Sequence, residues 1–139
     1  MTVGPLARLV KTHKAIAHPV RLRILAMLRG GPLCVCQMTM IVNLAPSTVS
    51  EHLSELRRAG LVSERRDGRW VEYRLNGAAA CRSLLDSLWQ ALDDDVEARA
   101  DAIVANELRV PADERITRPK LAAAVRRARR IRTSPGASR

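Results

Sequence analysis

Apolar residues recur at helical spacing through the first sixty positions, then alternate, then return to helical spacing. Leu6, Leu9, Val10, His13, Ile16 and Ala17 share one face and predict a first helix over about residues 3–17. Pro19 suits the first turn of a second helix, which Val20, Leu22, Ile24, Leu25 and Leu28 fill and Gly30-Gly31 ends. A short third helix is expected from near Cys36 through Met40 and Ile41 to Asn43. After the Ala45-Pro46 turn, a fourth spans about residues 46–59, with Val49, Leu53 and Leu56 inward and Gly60 closing it. Then the period changes. Leu61-Val62 opens an extended run, Asp67-Gly68 marks a hairpin turn, and Val71, Tyr73 and Leu75 alternate with Glu72 and Arg74. Asn76 is placed to cap a fifth helix over about 78–106, with Leu85, Leu88, Leu92, Val96 and Ile103 as one long apolar stripe.

These elements predict an α+β, mostly helical fold: a winged helix-turn-helix with a two-stranded β-wing and a long C-terminal dimerisation helix. Residues 1–106 form the expected DNA-binding and dimerisation domain, and 107–139 a basic, flexible tail. A short helix bearing Leu121, Val125 and Ala128 is the alternative for that tail. Composition agrees with a helical core, since aromatic residues make up only 2% of the 139 and Phe is absent. The length suits one domain with a tail.

Charge adds the partner class. The net charge is +10, and it is unevenly placed: +7 over residues 1–76, −5 over 77–117 and +8 over 118–139. A basic front and tail around an acidic middle suit a polyanion, and the wing carries Arg65, Arg66 and Arg69 near its tip. The fourth helix offers Ser47, Thr48, Ser50, Glu51, His52 and Ser54 opposite its apolar face. Small polar side chains near a helix N-terminus can enter a major groove, while Arg66 and Arg69 can reach phosphates. A signal peptide and a membrane span are not expected, and three cysteines are too few for a disulfide framework, which together predict a cytoplasmic protein. No enzyme motif of the P-loop, Gly-x-Ser-x-Gly or His-Glu-x-x-His type occurs.

Residues 44–62 (LAPSTVSEHLSELRRAGLV), residues 65–75 (RRDGRWVEYRL) and residues 18–25 (HPVRLRIL) together resemble the ArsR/SmtB family of metal-responsive repressors. The resemblance covers residues 6 to about 100. It implies a homodimer that binds a palindromic double-stranded operator and leaves it when a metal or metalloid binds. His52 matches the family's His in this helix, where packing is as good a reading as base contact. Glu51 departs from the basic or amide side chain usual there, and can accept from cytosine N4 or simply face solvent.

Cys34 and Cys36 lie two residues apart where the third helix begins, a place where backbone amides favour a thiolate. Plain core filling is the bland reading. Residues 33–38 (LCVCQM) resemble the arsenical-resistance repressors of the family, which implies As(III) or Sb(III) as inducer bound by Cys34 and Cys36. A third cysteine found in some of them is Thr39 here. Sulfurs at i and i+2 of a helix diverge by roughly 200°, so joining them requires a distorted helix start, which would disturb the fourth helix packed above. Cys81 is expected to be structural, and Trp70 and Trp89 to be packing residues. The histidines are His13, His18 and His52, none on the last helix, so the Asp/His zinc or nickel site of other relatives is not expected. A thiol redox or persulfide switch, or a sequence-nonspecific basic DNA-associated module, are the alternatives.

Overall fold

Three helices begin on a proline whose missing N–H costs nothing there. In the computed structural model these are α1 (Pro5–Ile16), α2 (Pro19–Leu28) and α4 (Pro46–Arg58). The structure describes residues 4–68 and 70–109, together with Ala123, Arg126, Arg127 and Arg130. Between α2 and α4 come a two-residue strand, β1 (Leu33–Cys34), and α3 (Val35–Val42). Asn43 ends α3 in the left-handed region at φ 57°, which Asn tolerates better than most residues. Gly60, at φ 75°, ends α4: its N–H donates to the Arg57 carbonyl, and that of Leu61 to Leu56, closing a Schellman turn.

The chain then forms β2 (Val62–Asp67) and β3 (Trp70–Leu75), paired antiparallel from Val62–Leu75 out to Asp67–Trp70. The hairpin therefore turns after Asp67, one residue later than Asp67-Gly68 as centre, with Gly68 at φ 59°. The sheet has three strands, not two, in the order β1-β3-β2. Leu33 pairs with Tyr73 and Cys34 with Glu72.

The expected single fifth helix is two. α5 (Ala79–Leu92) stops at Asp93-Asp94-Asp95, and α6 (Val96–Leu108) starts anew. Asp95 causes the restart: its carboxylate accepts from Ala98 N at 2.8 Å as an N-cap. The break turns α6 so that Ile103 is exposed, while Ala100, Asp101, Val104, Ala105 and Leu108 are buried. Asn76 does not cap α5, whose N-cap is Ala78; it accepts from Ala78 N and donates to the Gly60 carbonyl instead.

The core joins Ile24, Leu25 and Met27 of α2, Met38 of α3, Val49, Leu53 and Leu56 of α4, Tyr73 of β3 and Val104 of α6. Asp101, fully buried, is met by Arg23 of α2 through Nε at 2.7 Å and Nη2 at 3.1 Å. Burial lowers the Arg23 pKa, but the Asp101 bond and charge, with Glu97 and Asp95, outweigh it, so the net shift is upward. α6 extends to Leu108, just past the expected boundary at 106, and Arg127 donates to Glu107 at 2.9 Å. Ala123, Arg126, Arg127 and Arg130 are helical; Leu121, Val125 and Ala128 lie outside the described residues.

α1 does not bury the face its pattern suggests. Leu6 is 78% exposed, Leu9 58% and Val10 45%, and only Ala15 of this helix is buried. Ile16 packs against the core, whereas Leu6, Leu9 and Val10 are left uncovered among the described residues.

Candidate functional site

α4 packs on α3, buries Val49, Leu53 and Leu56 and turns its polar side outward. Ser47, Ser50 and Glu51 are exposed, and Thr48 and Ser54 are half-buried. His52 is different. Its Nδ1 accepts from Arg21 Nε at 3.3 Å, and its ring lies 4.4 Å from that of His18. Burial, then the His18 and Arg21 charges, lower its pKa. These contacts support the packing reading of His52, whose side chain is half-buried. His18 in turn caps α2, its Nδ1 accepting from Val20 N at 3.1 Å.

Arg66 is exposed on β2; Arg69 lies outside the described residues. The wing is pinned to α4 by one carboxylate oxygen, which sequence reasoning missed. Glu64 Oε2 accepts from Arg57 at 3.0 Å and from the Tyr73 hydroxyl at 2.8 Å. Burial, and then the Glu64 bond and charge, raise the Tyr73 pKa to about 12, so its proton is present at any ordinary pH. The pairing fixes the wing relative to the helix that carries Ser47 and Ser50. Only the place of Glu64 two residues after buried Val62, on the same face of β2, hinted at it.

The thiols occupy a strand–helix junction. Cys34 is the N-cap of α3, extended at φ −80°, ψ 154°, and half-buried; Cys36, inside the first turn, is exposed. Gln37 Oε1 accepts from Cys34 N at 2.8 Å, half of a capping box. The expectation of a favoured thiolate fails at Cys34. Burial, then Cys36 and Glu72 nearby, push its thiol pKa up.

Two soft sulfur donors at one junction fit a thiophilic ion. Among the described residues no group of three or more His, Cys, Asp or Glu side chains is assembled for a metal. Thr39 Oγ1 is buried without a hydrogen-bond partner one turn beyond Cys36. Cys81 is spent elsewhere, donating to the Gly60 carbonyl at 3.3 Å. Trp89 is buried beneath Arg29, as a packing residue; the Trp70 side chain is not described. No described helix is long and apolar enough to cross a membrane.

Residues 18–64 match the model of the bacterial regulatory protein arsR family. The chain is 44% identical over 64 residues to an arsenic resistance transcriptional regulator of Pseudomonas putida, covering 45% of this chain. The match spans only 50% of that relative's length. It is 33% identical over 92 residues to the arsenical resistance operon repressor of Escherichia coli, covering 64% of this chain and 79% of that one. Among solved structures, it resembles the homodimeric winged helix-turn-helix DNA-binding domain of a Mycobacterium bovis protein. The TM-score is 0.58, with 29% identity over 66% of this chain and 84% of that one. With the winged fold, the thiol junction and these relatives together, the chain belongs to the ArsR family of bacterial regulatory proteins, which are transcriptional regulators and not enzymes.

Proposed function

We propose that this chain is a homodimeric repressor that binds a palindromic operator and is released when As(III) or Sb(III) engages Cys34 and Cys36. The observation that carries the reading is the thiol pair at the start of α3, the helix on which α4 rests. α4 offers Ser47, Thr48, Ser50, Glu51 and Ser54 to a groove, and Arg66 and Arg69 extend the contact along phosphates. The names of the arsenic-resistance relatives support the inducer class. The exposed Leu6, Leu9 and Val10 of α1 support a second copy as the cover for that face, as does the homodimeric Mycobacterium bovis domain.

Trivalent arsenic, when bound, joins thiols by condensation: each S–H proton leaves with a hydroxide as water, and no electrons move. The sulfur attacks as a thiolate in this condensation as it does in a redox switch, so the raised Cys34 pKa bears on both alike; what separates them is that the condensation moves no electrons. Cys34 is extended and Cys36 helical, and in this reading the junction rotates as their sulfurs are drawn to one centre. That strain falls on α3 and so on the seat of α4, giving coupling between two distinct sites. A tenfold loss of DNA affinity requires about 1.4 kcal/mol of it.

The test begins with an operator selected from random duplex. Cys34→Ser and Cys36→Ser should bind it as the parent does but stay bound when arsenite is added, whereas Cys81→Ser should release normally. Release of either serine variant at the parent's arsenite concentration refutes the site.

A further inference from the structure

Gln37 does more than cap α3. Its Oε1 accepts from the Cys34 N–H at 2.8 Å, and its Nε2 donates to the Leu108 carbonyl at 3.1 Å, 71 residues away. The amide orientation is forced, because only the oxygen can accept and only the nitrogen can donate. One side chain thus satisfies an orphan N–H at the start of α3 and an orphan C=O at the end of α6. The next residue, Arg109, closes the same corner. Its guanidinium donates to the Met27 carbonyl and to Asn106 Oδ1, and it lies on Gly30 and Gly31, where any Cβ on Gly30 would collide with it. Burial lowers its pKa, and its Nε is buried without a partner. The last turn of α6 is therefore held by Gln37 on one side and by a poorly satisfied arginine on the other.

We infer that Gln37 is a positioning residue that transmits the state of the Cys34–Cys36 pair to the end of α6, and so to the basic segment that follows it. The inference deepens the reading of the thiol pair and rests on it. Cys34 carries both the sulfur and the N–H that Gln37 holds. A backbone rotation at Cys34 that carries its sulfur toward Cys36 swings that N–H away from Oε1. Gln37 then loses the anchor that aims Nε2 at Leu108, and the last turn of α6 opens. The signal from the thiols consequently has two exits: through α3 to α4, and through Gln37 to α6.

Amide hydrogen exchange on the full chain tests this. Two probes draw the sulfurs together: sodium arsenite, and a dithiol-bridging bimane whose capture is read by mass and fluorescence. In the parent, either probe should speed exchange at Leu108 and Arg109 about fivefold, the factor carried by one net hydrogen bond. Gln37→Glu keeps the acceptor for Cys34 N but turns a carboxylate against the Leu108 carbonyl; Gln37→Met removes both bonds. Both variants should exchange fast at Leu108 and Arg109 without a probe and gain nothing more on adding one, although they still capture it. A merely structural Gln37 would change the baseline and leave the probe's increment intact, which overturns the inference. So does a parent that captures the bimane with no change at α6. If arsenite is not captured while the bimane opens α6, the metalloid reading fails and the coupling stands.

Discussion

Replacing Asp101 by Ala tests what holds α6 in place. The carboxylate is 0% exposed and meets Arg23, whose side chain is 15% exposed, through two bonds at 2.7 and 3.1 Å. Truncation leaves the guanidinium desolvated with Glu97, at 3.3 Å and half-exposed, as a remaining partner. Breaking a buried pair from one side costs about 3–5 kcal/mol; the residual Glu97 contact sets the expectation at the lower end, about 3 kcal/mol. For a domain of this size that lowers Tm by roughly 12–24 °C. Replacing both partners with apolar residues, Arg23→Met with Asp101→Leu, should recover most of the loss, because no charge is then stranded. Circular dichroism at 222 nm follows the melting of all three. At a temperature where the Asp101→Ala protein is still folded, its DNA affinity should match the parent's, since neither residue belongs to the proposed interface. A drop below about 1 kcal/mol, or a double variant as unstable as the single one, would refute the assignment of this pair as the clamp between α2 and α6.

Three further expectations follow from the site. The His52 pKa is lowered in the folded state, so the unfolded chain binds the proton more readily. Stability is therefore complete above pH 6.5 and falls as pH drops through the unfolded value toward the folded one; urea midpoints between pH 7.5 and 5 should decline, with a flatter profile in His52→Asn, whose oxygen still accepts from Arg21. Alkylation followed by peptide mass analysis should modify exposed Cys36 before Cys34, whose thiol is half-buried and raised in pKa; the reverse order contradicts the junction's geometry. Deleting residues 118–139 should weaken operator and scrambled duplex by similar factors and flatten the salt slope, whereas Arg66→Ala with Arg69→Ala should cost operator affinity more; titrations at several salt concentrations separate the two.

Much of the reading element needed only local signals. Prolines at 5, 19 and 46, Gly60 and the alternation after it mark the helix starts, the stop of α4 and the wing, and all act within a turn of their own position. The misses are of another kind. β1 is two residues long, too short to show alternation, and becomes a strand only because β3 lies beside it. Leu92 and Val96 keep helical spacing across the break, so periodicity ran α5 and α6 together; the triplet Asp93-Asp94-Asp95, weak in helices and strong as caps, was the available clue. Nothing local announces that Arg23 meets Asp101 or that Gln37 meets Leu108, because such pairs depend on helix placement. His52 was correctly located on α4, but its neighbours come from the cap of α2, His18, and from Arg21 within it, contacts that no local signal announces.

The missed strand changes the physical account of sensing. With Cys34 helical, two diverging sulfurs would have strained one helix. Cys34 is instead the last residue of β1, opposite Glu72 on the wing strand, and the N-cap of α3. Three structures therefore meet at one residue: the wing through β3, the DNA-facing helix through α3, and α6 through Gln37. A rotation at Cys34 breaks a short strand pairing and a capping bond, each worth roughly a net hydrogen bond of about 1 kcal/mol. The affinity of a soft ion for two thiols can meet a cost of that size. A sensor placed mid-helix would have to break several ladder bonds for the same displacement. A two-residue strand thus suits the sensing proposed for the thiol pair: strong enough to hold the wing against α3 with the thiols free, and weak enough to yield were they bridged.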